Sequence, residues 1–189
     1  KKQPVFLVGF PRSGTTLLDT ILRTHKSIKV LEEKPLVDKI INVINKYTNN
    51  DLSSLQNLNN DKISQIQKLY FQERDKYIKV SDHEIFIDKL PLNIIYIGEI
   101  LKIFPDAKFI FALRHPYDSV LSCFMQPFVP NDAMSNFLNL KDTALFYDLT
   151  MKLWITYLKN LNLNFHLIKY EHIVNKFDQS LNNLLIFLN

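Results

Sequence analysis

Apolar residues in this chain come in two patterns, short unbroken runs and longer stretches where they recur every three or four positions. The first pattern suits strands buried on both faces, and the second suits helices with one buried stripe. Pro4–Phe10 is an unbroken run with glycine near its end and predicts a first strand. Further strands are predicted at 28–31, Ile85–Lys89, Lys108–Leu113 and Phe165–Lys169. Leu17, Leu18, Ile21 and Leu22 mark a helix over Thr15–Thr24, and Pro35 opens another near its first turn. Helices are also predicted over Ile63–Tyr77, Leu92–Phe104, Pro116–Phe124, Ala144–Leu161 and Asp178–Leu188, with Asp178 as an acidic N-cap for the last. Residues 47–64, rich in Asn, Asp and Ser, predict a loop with short helical pieces. Strands alternating with helices imply an α/β fold of three layers, a central parallel sheet with helices on both faces. A length of 189 residues suits one domain spanning 1–189.

The loop between the first strand and the first helix carries candidate chemistry. Gly9-Phe10-Pro11-Arg12-Ser13-Gly14-Thr15-Thr16 has the Walker A frame, with two glycines flanking a turn and a hydroxyl residue opening a helix. Backbone N–H groups around Gly14 and the positive end of the helix dipole converge on an anion there. The lysine of the Walker pattern is replaced by Thr15. Asp88, the nearest candidate for a metal-holding aspartate, is followed at once by Lys89. The loop therefore reads as phosphate-binding in a P-loop-type fold, and not as an ATPase. A small-metabolite kinase and a non-catalytic nucleotide-binding module remain the alternatives.

A second anion site is predicted from Arg114, at a strand end, and Ser122, in the following helix, with Ser119 a weaker helper. An arginine fork with a hydroxyl clamps a terminal phosphate monoester, which needs more donors than a bridging phosphate.

Together these motifs resemble the PAPS-dependent sulfotransferase superfamily (PAPS, 3′-phosphoadenosine-5′-phosphosulfate). The nearest match in motif is to tyrosylprotein sulfotransferases and tetratricopeptide-linked bacterial-type sulfotransferases. Pro11-Arg-Ser-Gly-Thr-Thr16 is similar to the family's 5′-phosphosulfate loop, which implies that Arg12, Ser13, Gly14, Thr15 and Thr16 grip the donor, Arg12 standing in for the lysine. Arg114 and Ser122 match the 3′-phosphate site. Leu31-Glu32-Glu33 falls where the family carries an acidic base, and the gap-free match selects Glu33. Asp88-Lys89-Leu90-Pro91 resembles the Lys-x-Pro stretch, making Lys89 catalytic beside Arg12. Lys169-Tyr170-Glu171 resembles the Tyr-Glu signature, whose tyrosine lies along the adenine. The resemblance implies sulfuryl transfer from PAPS to an acceptor hydroxyl (protein tyrosine, carbohydrate or small molecule), leaving 3′,5′-bisphosphoadenosine, without a metal. A carboxylate base of this kind is expected to have its pKa raised, in part by Glu32. Two departures stand out. Gln126 replaces an arginine found in the protein-tyrosine type, and the family's C-terminal segment that closes over the nucleotide is expected to be missing from the domain.

Bulk properties narrow the partners. A net charge of +4 suits an anionic ligand but is too small and dispersed for nucleic acid, and Lys1-Lys2 is a stub, not a basic arm. Cys123 is the one cysteine, and the five histidines show no paired ligand spacing, so neither a disulfide nor a metal site is expected. No membrane segment or signal peptide is read in the chain. These features point to the cytoplasm, or to the Golgi lumen if the chain is a piece of a longer protein.

Overall fold

Strand β1 (Val5–Gly9) is buried at every position, which explains why its sequence is an unbroken apolar run instead of an alternating one. The structure, a computed structural model, describes residues 3–129 and 131–189, and the Lys1-Lys2 stub lies outside the described residues. Around β1 lie β2 (Ile28–Glu32), β3 (Ile85–Lys89), β4 (Lys108–Leu113) and β5 (Asn164–Lys169). The order is β2-β3-β1-β4-β5 and every pairing is parallel.

Alternation along β1 sorts two cores. Phe6 and Val8 face a layer formed by α2 (Leu36–Thr48), α3 (Asn60–Arg74), α4 (Ile97–Ile103) and Trp154 of α6 (Leu140–Asn160). Val5 and Leu7 face α1 (Thr15–Arg23), α7 (Tyr170–Asn175) and α8 (Phe177–Leu188). A third small cluster joins Phe10 to Phe137 and to Cys123 of α5 (Pro116–Phe124). The expected three layers are thus present. Phe6 is fully buried, its ring 5.7 Å from Phe109, 6.1 Å from Tyr70 and 6.2 Å from Phe104. Each such side chain contributes about 1.5–3 kcal/mol through burial.

The structure differs from the sequence pattern at five places. The helix expected over Leu92–Phe104 is a 3-10 turn, Pro91–Tyr96, followed by α4. Helix α6 starts four residues earlier than Ala144, because Asn139 accepts from the Asp142 N–H and caps it. Asp178 lies in the first turn of α8 and is not its N-cap; there it still meets the positive dipole end. Helix α7 was not visible in the pattern, since six residues are too few for a period to show. Within 47–64 the chain forms a 3-10 turn at Leu52–Asn57, and α3 already begins at Asn60, capped by Asn59.

The chain leaves β1 toward β2 and β3 on one side and places β4 and β5 on the other. Strand order reverses at β1, and ligands of open parallel sheets bind in the crevice beyond the carboxyl ends at such a point.

Candidate active site

Each strand delivers a predicted site residue at or just beyond its carboxyl end: Arg12 after β1, Glu33 after β2, Lys89 ending β3, Arg114 after β4 and Tyr170 after β5. Five segments far apart in sequence therefore meet at one end of the sheet.

The β1–α1 loop is shaped by close approach. A Cβ on Gly9 would stand 2.5 Å from the Ala112 carbonyl oxygen, so β1 and β4 meet there without room for a side chain. Gly14 has φ +93° as the N-cap of α1, and a Cβ on it would stand 2.6 Å from Tyr170 Cδ2. The Tyr170 ring thus lies against the loop. Arg12 (φ 67°) and Glu33 (φ 49°) are also left-handed, and apart from Asn49 and Asn50 no other non-glycine described residue is. Such conformations cost energy and collect at ligand sites.

Helix α5 clasps the same loop. Arg12 Nε donates to Ser122 Oγ at 3.0 Å, Cys123 Sγ donates to the Pro11 carbonyl at 3.3 Å, and Arg114 Nη1 donates to the Arg12 carbonyl at 3.4 Å. Burial pushes the Cys123 thiol up to about 12, so this cysteine is a packing group and not a nucleophile. The Arg114 guanidinium lies 4.7 Å over the Tyr170 ring, and its Nε stands 3.7 Å from an Asp118 oxygen. The two predicted anion sites are therefore one continuous surface. Arg114 Nε and Ser13 Oγ are buried without hydrogen-bond partners, a donor surplus that fits an anionic ligand. Ser119 is fully buried, and its hydroxyl is likewise unpartnered.

Opposite this surface stands a charged trio. Parallel register sets Glu32 beside Lys89, and the Glu33 N–H donates to the Lys89 carbonyl at 2.8 Å. Lys89 is fully buried and its Nζ donates to Glu33 Oε1 at 2.8 Å and to Glu32 Oε1 at 2.9 Å. Glu32 was expected to press on Glu33 as a like charge. Instead Lys89 bridges the two, and its hydrogen bond holds the Glu32 carboxyl below the usual carboxylate range. Glu33 joins Pro11, Arg12, Thr16 and Arg114 in lining a cleft of about 220 Å³.

Pro91 and Phe128 supply apolar wall to that cleft. Sequence reasoning missed Phe128, which follows α5 in a stretch with no motif. Glu171, read only as part of the Tyr-Glu signature, accepts at Oε1 from the His115 N–H at 2.8 Å and ties α7 to the start of α5. Asp88 points away from the cleft: it is fully buried, and its Oδ2 accepts from the Tyr70 hydroxyl at 2.8 Å. Among the described residues no group of three or more His, Cys, Asp or Glu is placed to hold a metal ion. No described helix is long and apolar enough to cross a membrane. A larger cavity of about 760 Å³ at the opposite end of the strands, lined in part by His25, Arg74 and His83, contains none of the predicted site residues.

Fold and site together define a P-loop-type α/β protein whose anion loop carries arginine and threonine in place of the Walker lysine. The chain belongs to the sulfotransferase family, whose model matches residues 4–189. Its fold is similar to that of the sulfotransferase domain from the curacin biosynthetic pathway, at 23% identity and a TM-score of 0.65, over 100% of this chain and 75% of that one. The sulfotransferase domain of the Synechococcus PCC 7002 olefin synthase is similar at 19% identity and a TM-score of 0.63, covering 100% of this chain and 74% of that one. Mouse sulfotransferase SULT7A1 complexed with PAP is similar at 20% identity and a TM-score of 0.56, covering 100% of this chain and 58% of that one. An uncharacterized protein of Aquifex aeolicus is 35% identical over an alignment of 148 residues that covers 72% of this chain but 18% of that protein's length.

Proposed function

We propose that this chain transfers a sulfuryl group from PAPS to an acceptor hydroxyl. The observation that carries the reading is the adjoining pair of anion sites, joined by the Arg12–Ser122 hydrogen bond and faced across the cleft by Glu33 on Lys89. The loop N–H groups at Gly14, Thr15 and Thr16 hold the 5′-phosphosulfate at the α1 dipole. Arg114 and Ser122 hold the 3′-phosphate, and Tyr170, already under Arg114, offers its ring to the adenine.

Glu33 takes the proton of the acceptor hydroxyl, and the acceptor oxygen forms a bond to sulfur. The bond from sulfur to the bridging oxygen breaks, its electron pair staying on the 5′-phosphate of the departing 3′,5′-bisphosphoadenosine. Arg12 and Lys89 neutralise the charge that grows on that oxygen, the task a divalent cation performs in kinases. The reading includes independence from metal. Asp88, the nearest sequence candidate for a metal-holding aspartate, is fully buried with one carboxyl oxygen on the Tyr70 hydroxyl.

The test is PAPS turnover with p-nitrophenol as probe acceptor, following bisphosphate and p-nitrophenyl sulfate in the presence of EDTA. Transfer that persists in EDTA supports the proposal. Strict dependence on Mg²⁺, or turnover of ATP, overturns it in favour of a small-metabolite kinase.

A further inference from the structure

Lys89 has three N–H donors, two of which are committed to carboxylates of different character. Glu33 lies beyond the end of β2 on a left-handed residue and lines the cleft. Glu32 belongs to β2 itself, in register with Lys89 on the neighbouring strand. Glu32 also has support behind it. Its Oε2 stands 3.8 Å from Arg23 Nη2, and Arg23 is gripped through both Nε and Nη2 by the buried Asp19 of α1. The charged groups facing Glu32 are thus Arg23 and Asp19 from α1, Lys34 from the segment after β2, and Lys89 from β3.

Resting on the sulfuryl-transfer reading, we propose that Glu32 is a positioning residue that retains Lys89 at the cleft while its other partner changes from Glu33 to the departing phosphate oxygen. The chemistry requires such an anchor. When Glu33 gains the acceptor proton it becomes neutral and stops compensating Lys89, at the moment when the bridging oxygen acquires the electron pair of the broken S–O bond. The ammonium charge then serves the leaving group. With Glu33 as its only partner, a buried lysine would lose its fixed position at the moment when its charge is needed on the departing oxygen. Glu32, held by a strand on one side and by Arg23 on the other, keeps the same contact throughout.

The test uses the full-length protein and two readouts. Reductive methylation with formaldehyde and a borane reductant, read by mass spectrometry at Lys89, reports the anchor without requiring turnover. Lys89 should stay protected in wild type and in Glu33→Gln, and should label at least about 10-fold faster in Glu32→Gln. Steady-state transfer from PAPS to p-nitrophenol reports the consequence. Glu32→Gln should lower kcat by about 10- to 100-fold with KM for PAPS within about 2-fold, and Glu32→Asp should recover part of the loss. Weaker bisphosphate binding in step with kcat would instead mean general damage to the site and would overturn the assignment. So would equal Lys89 labelling in the two Gln variants, or an unchanged kcat in Glu32→Gln. If Glu32→Gln does not fold, Arg23→Gln, which loosens Glu32 from behind, should raise Lys89 labelling, and unchanged labelling there refutes the anchor. Wild type that fails to turn over PAPS refutes the proposed function alone, since the labelling comparison still decides where Lys89 is held.

Discussion

Replacing Asp88 with asparagine should remove a large pH dependence of stability. Asp88 is fully buried in β3, with one oxygen accepting from Tyr70 and the other without a hydrogen-bond partner. Burial, opposed by the Tyr70 hydrogen bond and reinforced by the charge of Asp38, pushes its carboxyl from 3.8 up to about 7. Between those two values the folded state keeps a proton that the unfolded chain releases. The stabilisation is therefore complete below the unfolded pKa and is lost as pH rises toward 7. Three pH units at about 1.36 kcal/mol each make the loss on the order of 4 kcal/mol, worth roughly 10 °C in Tm for a chain of this size. Asparagine keeps the shape and the acceptor for Tyr70 but has no proton to lose. Thermal melts of both proteins from pH 5 to pH 8, which span about two of those three units, form the assay, and their difference removes the contribution of Glu99, which burial also raises. Wild type should fall relative to the variant across this range, with the variant the more stable at pH 8. Curves that stay parallel would mean that burial does not raise the Asp88 carboxyl, because a carboxyl that titrates at its ordinary value contributes no slope there.

Other outcomes follow from the site and its support. Glu33→Gln should lower kcat for sulfuryl transfer by roughly 10²–10⁴-fold while leaving bisphosphate affinity intact, as steady-state kinetics and calorimetry will show. Gly14→Ala meets both a positive φ and the Tyr170 ring, so nucleotide affinity and Tm should fall together. Phe6→Ala should cost about 3–5 kcal/mol in a denaturant melt, since the ring packs among three aromatic rings at the centre of the larger core.

The parts of the site legible in sequence are those set by local spacing. Gly9, Gly14 and the hydroxyl residues after them identify a loop because strand, turn and helix start are contiguous. Arg114 and Ser122 could be paired because eight residues span one strand end and the helix that follows. Glu33 and Lys89 were identified by resemblance, but the bridge through Lys89 to both glutamates depends on the parallel register of β2 with β3, across 57 and 56 residues. No spacing rule reaches that far. The left-handed backbone at Arg12 and Glu33 is equally silent in sequence, since neither residue type announces it. Phe128 reaches the cleft only because α5 and the packing of Phe128 on Phe137 bring it there. Tyr170, expected along the adenine, has its ring between Gly14 and Arg114, against the β1–α1 loop.

The two adjoining anion sites should recognise one nucleotide carrying both a 5′ and a 3′ phosphate. Calorimetry on the full-length protein with 3′,5′-bisphosphoadenosine, ADP and AMP tests it most directly. The bisphosphate should bind far more tightly than either of the others. Arg114→Ala should remove on the order of 2–4 kcal/mol of that binding while barely changing AMP, because a charged hydrogen-bonding partner of the 3′-phosphate is lost. Equal affinities for the three nucleotides, or an equal loss for AMP in Arg114→Ala, would contradict the account.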